Sequence, residues 1–289
     1  MEKILVSGEN GYIGRSFQKT ISKYDENYSI DFISVRNNEW EEKDFGDYDV
    51  FLHLAGKAHV SRNKKLESEY YKINTDLTTR LAKKAKKDGV KHFIFMSSII
   101  VYGSTHEKIN SHTKPNPNNF YGNSKLLAEK NIIFLADDGF LVTVLRPPMI
   151  YGYKSKGNFE KLKKLAFKSP IFFQIHNSRS VLYIENLNEF IKWIIDQKKE
   201  GIFLPSDESP VSTSEIYQTL RRIKGKRTFL LPIPKLIVKI LLLQTMFQKI
   251  FGDLYYEIND HNIHRINLKF DLKNAIKEII TIESREYKI

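Results

Sequence analysis

The chain contains no cysteine in its 289 residues, which excludes disulfides, thiolate nucleophiles, Cys-ligated zinc and iron–sulfur clusters. It also lacks a long uninterrupted apolar run. The most apolar stretch, residues 229–251, is broken by proline, lysine and glutamine, so it falls short of the ~18 residues that a spanning helix needs. We therefore predict no integral membrane segment. We interpret the stretch as a packed helix, with association at a membrane surface as the alternative.

Two further signals are missing. The first three residues lead directly into the apolar run that starts at Ile4, with no basic region, apolar core and cleavage site of a signal peptide, so we expect a cytoplasmic protein. His53 and His59 have no carboxylate or second histidine at metal-ligand spacing. We therefore expect no metal site, and we interpret both histidines as packing or cofactor-adjacent residues.

Positive charge is abundant: 46 Lys and Arg against 34 Asp and Glu give a formal net charge of +12. Such a field favours polyanions, so nucleic acid has to be considered as a partner. The basic residues are spread along the chain, however, in stretches typical of solvated helix faces, such as residues 83–87. Because no aromatic-basic recognition module accompanies them, we expect no nucleic-acid binding.

Apolar, β-branched runs recur with helical stretches between them, at residues 4–6, 30–35, 50–54, 92–96 and 141–145. The runs are continuous, which is typical of parallel strands covered by helices on both faces. We predict an α/β fold: a Rossmann-type doubly wound parallel sheet with a smaller C-terminal substrate-binding α/β portion. We expect residues 1–150, completed by about 180–204, to form an NAD(P)-binding domain of this type, and residues 151–179 with 205–289 to form the substrate-binding domain.

The first predicted strand ends in a glycine-rich loop, with Gly8, Gly11 and Gly14 opening a helix. The first glycine permits a tight turn, the second lets a pyrophosphate approach the backbone N–H groups, and the third lets the helix pack on the sheet. A tight turn without a ligand is the alternative. The position after the first strand of an alternating chain favours dinucleotide binding.

About 20 residues further on, an NAD-selecting enzyme usually carries a carboxylate that binds the ribose hydroxyls. This chain has Ser34, Val35 and Arg36 there instead. Because a guanidinium suits a 2′-phosphate, NADP(H) is favoured over NAD(H). The alternative for Arg36 is a solvated strand end.

Tyr121 and Lys125 stand four residues apart in a helical stretch, so they share one helix face. We expect the lysine to lower the tyrosine pKa from ~10, making the phenol a general acid or base. Tyr217 and Arg221 have the same spacing, but only Tyr121 follows a strand ending in free hydroxyls, with Ser98 at its carboxyl end. Ser98 would hydrogen-bond a reacting carbonyl; a simple turn is its alternative.

Together these motifs resemble the extended short-chain dehydrogenase/reductase family, the NAD-dependent epimerases and dehydratases of nucleotide sugars. The resemblance extends over most of the chain, through residues 53–56, Asn74, residues 97–103 and residues 146–152. It implies a catalytic triad of Ser98, Tyr121 and Lys125, with Asn74 bracing the site. The implied cofactor-binding residues are Gly8, Asn10, Gly11, Tyr12, Ile13, Gly14, Arg36, Leu54, Ala55, Gly56, Asn74, Tyr121, Lys125 and Pro147.

On the substrate side the resemblance implies Ser98, Val101, Tyr102, Asn158 and Arg179, with the arginine pairing with phosphate. Family epimerases usually have an asparagine where this chain has Met149. Residues 156–159 and 177–180 look most like bacterial reductases of UDP-4-keto-6-deoxy-N-acetylhexosamines in capsule and O-antigen synthesis. The resemblance also suggests a homodimer.

The expected reaction is therefore NADPH-dependent reduction of the C4 ketone of a UDP-linked 4-keto-6-deoxy amino sugar, giving UDP-N-acetylfucosamine or UDP-N-acetylquinovosamine. Two alternatives remain open. One is a UDP-sugar 4-epimerase with tightly bound NAD. The other is a cofactor-binding regulatory protein without turnover, against which the intact triad argues.

Overall fold

The computed structural model of the chain describes residues 1–58, 63–103, 108–234, 247–248, 251–257 and 269–286. They divide into two compact units. The first unit comprises Met1–Thr105, Thr113–Pro147 and Leu187–Pro205, and the second comprises His106–His112, Pro148–Asn186 and Ser206–Ile289. The assignment of cofactor binding to one part of the chain and substrate binding to the other stays a prediction.

The strands are β1 (Glu2–Ser7), β2 (Tyr28–Ile33), β3 (Val50–His53), β4 (His92–Met96), β5 (Lys108–Ile109), β6 (Leu141–Leu145), β7 (Met149–Tyr151), β8 (Ile171–Gln174), β9 (Val181–Tyr183), β10 (Gly201–Phe203), β11 (Phe229–Pro232) and β12 (Tyr255–Tyr256). The α-helices are α1 (Tyr12–Ile21), α2 (Glu67–Tyr70), α3 (Leu77–Asp88), α4 (Phe120–Ile133), α5 (Asn158–Lys168), α6 (Ile184–Asp196), α7 (Thr213–Ile223) and α8 (Leu272–Glu286). A π-helical turn, Tyr71–Asp76, joins α2 to α3, and a 3₁₀ helix spans Ile99–Tyr102.

The first unit is built on a six-stranded parallel sheet in the order β10-β6-β4-β3-β1-β2. All residues of β3 and β4 are buried, as continuous apolar strands between helices require. Their phenylalanines form the centre of the core, with the rings of Phe51 and Phe93 stacked at 5.4 Å. The structure thus confirms the predicted α/β class with a parallel Rossmann-type sheet.

Strand β1 lies at the point where the strand order reverses, since it pairs with β2 on one side and β3 on the other. In open parallel sheets, ligands bind at the carboxyl ends of the strands at such a switch point. The segments that follow β1 and β3 therefore mark the expected crevice.

The second unit contains three pairs of short parallel strands, β7 with β9, β8 with β11 and β5 with β12. Helix α7 begins with a capping box in which Ser212 and Glu215 satisfy each other's backbone N–H groups. Tyr151, buried, donates a hydrogen bond to the buried carboxylate of Asp207 at 2.9 Å. Asp207 also accepts from the Asn186 amide at 2.9 Å, which ties the segments of this unit together.

The helix predicted for residues 229–251 is wrong at its start, because Phe229–Pro232 form β11 beside β8. Pairing of Phe229 with Ile171 gives these residues strand neighbours that the isolated segment lacks. Residues 235–246 and 249–250 lie outside the described residues. In the described part of the chain, no helix combines the length and apolarity required to cross a membrane.

Candidate active site

The glycine loop makes a tight turn between β1 and α1. Gly8 has a φ of +95°, in the left-handed region that glycine favours, and its carbonyl accepts the Gly11 N–H at 2.9 Å. A Cβ on Gly14 would lie 2.7 Å from the same oxygen, so no side chain fits there. Helix α1 then begins at Tyr12 with no side-chain cap on its first N–H groups. This loop fits the pyrophosphate of a dinucleotide.

The segment after β3 lies directly against this loop. A Cβ on Gly8 would be 3.1 Å from the Ala55 nitrogen, and the Leu54 N–H donates to the Ser7 carbonyl at 3.2 Å. A Cβ on Gly56 would be 3.1 Å from Lys125 Nζ. Residues 54–56 therefore connect the glycine loop to the predicted catalytic lysine within one continuous set of contacts.

Asn74 is fully buried on the π-helical turn and uses both ends of its amide. Its oxygen accepts the Lys57 N–H at 2.8 Å, and its nitrogen donates to the Lys57 carbonyl and to Ser124 Oγ at 3.1 and 3.0 Å. It thus holds the segment after β3 against α4. Whether this position serves cofactor binding, as the family resemblance implied, stays a prediction.

Ser98, Tyr121 and Lys125 come together at the carboxyl end of β4. Ser98 follows the strand, and its side chain lies near enough to the Tyr121 phenol to lower the pKa of that phenol. Tyr121 lies in the first turn of α4, which the side chain of Asn119 caps by accepting the Gly122 N–H at 2.9 Å. Lys125 Nζ donates to the Met96 carbonyl at 2.8 Å. The predicted triad is therefore assembled in the first unit.

The pKa of Tyr121 shifts in the direction opposite to the predicted one. Burial raises the pKa of Tyr121 above its ordinary value, partly offset by the hydrogen bond with Ser98. Burial also lowers the pKa of Lys125 to about 8, against the opposing effect of Glu129. The Lys125 ammonium donates its hydrogen bond to the Met96 carbonyl. Loss of solvent is the largest influence on the pKa of the Tyr121 phenol. Tyr121 consequently keeps its proton at neutral pH.

The second pair with the same spacing has a structural function. Tyr217 is fully buried, and its hydroxyl donates to the Ser169 carbonyl at 2.7 Å. The guanidinium of Arg221 donates to the carbonyls of Ala166 and Arg227 at 2.6 and 2.7 Å. Both side chains thus hold backbone segments of the second unit in place by hydrogen bonds. This structural function distinguishes the pair from Tyr121 and Lys125.

A buried ion pair lies one turn beyond Lys125 on α4. Arg146 follows β6, and its guanidinium donates to Glu129 at 2.6 Å, with both side chains almost fully buried. Arg146 also donates to the Tyr102 hydroxyl at 2.8 Å, and Ser97 donates to the Glu129 carboxylate. The network joins the ends of β4 and β6 to the helix that carries the triad.

We expect Arg146→Met to destabilise the protein by about 3–5 kcal/mol, because the Glu129 carboxylate would be left charged and buried without its partner. Urea unfolding followed by circular dichroism measures the change. The double variant Glu129→Gln/Arg146→Met removes both charges and should recover part of the loss. Equal stability of the wild type and the single variant would contradict this account.

The other predicted cofactor residues lie around the same edge of the sheet. Arg36 is exposed and follows β2, whose last residue, Ile33, pairs with Ser7 immediately before the glycine loop. Asn10 is exposed and accepts a hydrogen bond from Arg15 at 3.1 Å. Tyr12 and Ile13 form the start of α1 and are half-buried.

Pro147, Val101 and Tyr102 support the Ser98 segment from within the first unit. The buried Pro147 accepts the Ile99 N–H on its carbonyl at 2.9 Å. Val101 and Tyr102 are buried, and the Tyr102 hydroxyl is bonded to Arg146 as described above. The roles of Val101 and Tyr102 in substrate binding stay predictions.

Asn158 and Arg179 belong to the second unit. Asn158 is exposed at the first residue of α5. Arg179 donates from its guanidinium to the Gly252 carbonyl at 2.6 Å, and burial lowers its pKa against the charge of Asp253. Their predicted contacts with the diphosphate likewise stay predictions.

Sequence reasoning missed two groups that support the triad. Ser124, between Tyr121 and Lys125, donates its hydroxyl to the Tyr121 carbonyl at 3.0 Å and accepts from Asn74. Glu129 carries the buried network and influences the pKa of Lys125. The available signal was their i,i+3 and i,i+4 spacing from the predicted residues on α4.

Comparisons with known proteins agree with this architecture. Residues 4–203 match the sequence model of the NAD dependent epimerase/dehydratase family. A UDP-glucose 4-epimerase of Vibrio cholerae is 33% identical over 277 residues, which cover 87% of this chain and 83% of the relative.

Two solved structures share the fold. The UDP-N-acetylglucosamine 4-epimerase of Bacillus cereus matches with a TM-score of 0.77 at 19% identity, covering 98% of this chain and 99% of that chain. The dTDP-4-dehydrorhamnose reductase of Bacillus anthracis, solved in complex with NADP, matches with a TM-score of 0.73 at 19% identity, covering 99% of each chain.

Proposed function

The chain belongs to the NAD-dependent epimerase/dehydratase family, and from this membership we propose that it is an NADPH-dependent reductase of nucleotide sugars. The substrate we assign is a UDP-2-acetamido-2,6-dideoxy-hexos-4-ulose, reduced at its C4 ketone to UDP-N-acetylfucosamine or UDP-N-acetylquinovosamine. One observation carries the proposal: Lys125, four residues after Tyr121 on α4, donates to the Met96 carbonyl two residues before Ser98, and Gly56 connects it to the glycine loop.

In this proposal each residue of the triad has one task. A bound nicotinamide supplies the hydride. Tyr121 donates its proton to the oxygen that becomes an alkoxide, and Ser98 holds that oxygen by a hydrogen bond. Lys125, held by the Met96 carbonyl, contributes a positive charge to the same site. The N–H groups at the start of α1 hold the pyrophosphate.

One observation favours reduction over epimerisation: Met149 stands where family epimerases usually have an asparagine. The raised pKa of Tyr121 is compatible with a protonated phenol that acts as the acid in ketone reduction. The proposal further includes a homodimer and a role in the synthesis of bacterial capsule or related polysaccharide precursors.

The decisive experiment supplies purified protein with the keto-sugar, made in situ by a 4,6-dehydratase, and follows nicotinamide absorbance. NADPH should be oxidised, and mass spectrometry should find a product two hydrogens heavier than the keto-sugar. If neither NADPH nor NADH is oxidised, the reductase proposal is wrong.

The second candidate is a UDP-sugar 4-epimerase, which the 33% identity to the Vibrio cholerae enzyme favours. This activity predicts NAD that remains bound through purification, together with interconversion of gluco and galacto sugars without added cofactor. Absorbance of the purified protein and chromatography of the sugar products distinguish it from the reductase.

We expect Arg36→Glu to raise the KM for NADPH by about 10- to 100-fold, since charge-assisted hydrogen bonds contribute about 1.5–3 kcal/mol. The KM for NADH should change little, because NADH has no 2′-phosphate for the guanidinium to bind. Steady-state kinetics with the two cofactors gives both values in one variant. An equal rise in both KM values would assign Arg36 no part in cofactor selection.

A further inference from the structure

The paired strands β8 and β11 have one packed face and one open face. On the packed face, Phe172 stacks on Tyr217 of α7, with ring centroids 4.1 Å apart and an interplanar angle of 12°. Side chains alternate between the two faces of a strand. The residues on either side of Phe172 therefore point away from the core of the second unit.

The open face carries four large apolar side chains, Ile171 and Phe173 from β8 and Phe229 and Leu231 from β11. They are 50%, 50%, 61% and 46% exposed. The register places Phe229 beside Ile171 and Leu231 beside Phe173, so the four form two adjacent cross-strand pairs. We call this set the apolar face. Contiguous exposed apolar side chains of this kind mark interaction surfaces.

Cationic side chains lie at the end of the sheet where both strands begin. Lys168 precedes β8, while Lys226 and Arg227 precede β11. Phe229 also lines an open cavity of about 550 Å³ together with Arg222, Lys226, Arg227 and the carboxylate of Glu215. That carboxylate accepts the Ser212 N–H of the capping box, and three cations outnumber it in the lining.

The four cations have no anionic partner in the described part of the protein, where no ion pair includes Lys168, Arg222, Lys226 or Arg227. All of them are exposed. The chain as a whole carries a net charge of +12. An apolar face with unpaired cations at one end is complementary to a surface that presents anions above hydrocarbon.

We propose that the apolar face and its cations form a peripheral docking surface for an anionic phospholipid bilayer. Phe173, Phe229 and their neighbours enter the boundary between headgroups and acyl chains. Lys226 and Arg227 contact the lipid phosphates, and the cavity they line accommodates a headgroup. The surface lies within the second unit, and its role does not depend on which reaction the triad catalyses.

Co-sedimentation of the full chain with vesicles of equal parts phosphatidylglycerol and phosphatidylcholine tests the proposal. Two double variants remove its components, Phe173→Ser/Phe229→Ser and Lys226→Glu/Arg227→Glu. The matched control is Lys83→Glu/Lys87→Glu, which changes net charge by the same amount at exposed positions of α3 in the first unit. Phe134→Ser removes an 87% exposed phenylalanine outside the surface.

We expect each of the two double variants to lower the partition coefficient about tenfold, since each removes apolar burial or phosphate contacts. The two controls should change it less than about twofold. If circular dichroism shows that the phenylalanine variant does not fold, the Lys226→Glu/Arg227→Glu variant alone tests the proposal.

Three results would overturn the proposal. One is a wild-type protein that stays in the supernatant. Another is an equal loss of binding in Lys226→Glu/Arg227→Glu and in Lys83→Glu/Lys87→Glu. Binding would then follow the net positive charge of the protein and not this surface. The third is a dimer, seen by sedimentation velocity, that Phe173→Ser/Phe229→Ser dissociates while vesicle binding is unchanged, which would assign the apolar face to a second copy of the chain.

Discussion

Tyr121→Phe is expected to lower kcat for ketone reduction by about 10²- to 10⁴-fold, the contribution of a positioned general acid. The substitution removes one hydroxyl, which lies near Ser98, and leaves the ring beside Tyr70. Binding of NADPH should therefore persist within about twofold, because only one weak neutral hydrogen bond is lost near the cofactor. Steady-state kinetics gives kcat, and quenching of protein fluorescence gives the Kd for NADPH.

The matched control is Tyr217→Phe. Tyr217 has the same spacing to Arg221 as Tyr121 has to Lys125, but it has no part in the proposed reaction. This variant loses the hydrogen bond to the Ser169 carbonyl, so we expect lower stability by about 1 kcal/mol and unchanged kcat. Unaltered kcat in Tyr121→Phe would remove the phenol from the mechanism. A biological role that persists in that variant would favour the non-catalytic regulatory protein.

Lys125→Met is expected to lower kcat by about 10²-fold or more. The same substitution should make the folded protein more stable at pH 7. The pKa of Lys125 is lowered from 10.5 to about 8 because the side chain is buried. At a scale of ~1.4 kcal/mol per pKa unit, the charged lysine disfavours folding by roughly 3 kcal/mol below pH 8. Loss of the bond to the Met96 carbonyl offsets about 1–3 kcal/mol of this gain.

The pH dependence of this stability difference has a definite sign. Between about pH 8 and 10.5 the unfolded chain binds the Lys125 proton more tightly than the folded protein does, so wild-type stability rises with pH relative to the variant. Urea unfolding of both proteins across that window measures the difference. Lys87→Met, at an exposed position, serves as the control. A constant difference between wild type and Lys125→Met would contradict the shifted pKa.

The parallel sheet was predictable because its central strands are continuous apolar runs. Residues 50–53 and 92–96 are buried on both faces, and this is the pattern that their sequence displays. Strand β10 was not identified, since only Phe203 of its three residues is buried and its partner β6 lies far away in sequence. The start of β11 was mistaken for helix for the same reason.

The proximity of Tyr121 and Lys125 was predictable from local spacing, whereas the electrostatics of this pair was not. An i,i+4 relation places Tyr121 and Lys125 on one face of α4, but it does not fix where the ammonium points. Lys125 donates to the Met96 carbonyl, a residue brought close only by the packing of α4 on β4. In the sequence Glu129 likewise looks like a solvated helix residue. Only the tertiary structure shows that Arg146, which follows β6, forms a buried ion pair with it.

Gly56 limits how the enzyme can be re-engineered. A methyl group at this position would lie 3.0 Å from Asn74 Oδ1 and 3.1 Å from Lys125 Nζ, so even alanine would require these two buried groups to shift. Combinatorial libraries aimed at altered cofactor use should leave position 56 invariant and diversify position 36, whose side chain is exposed.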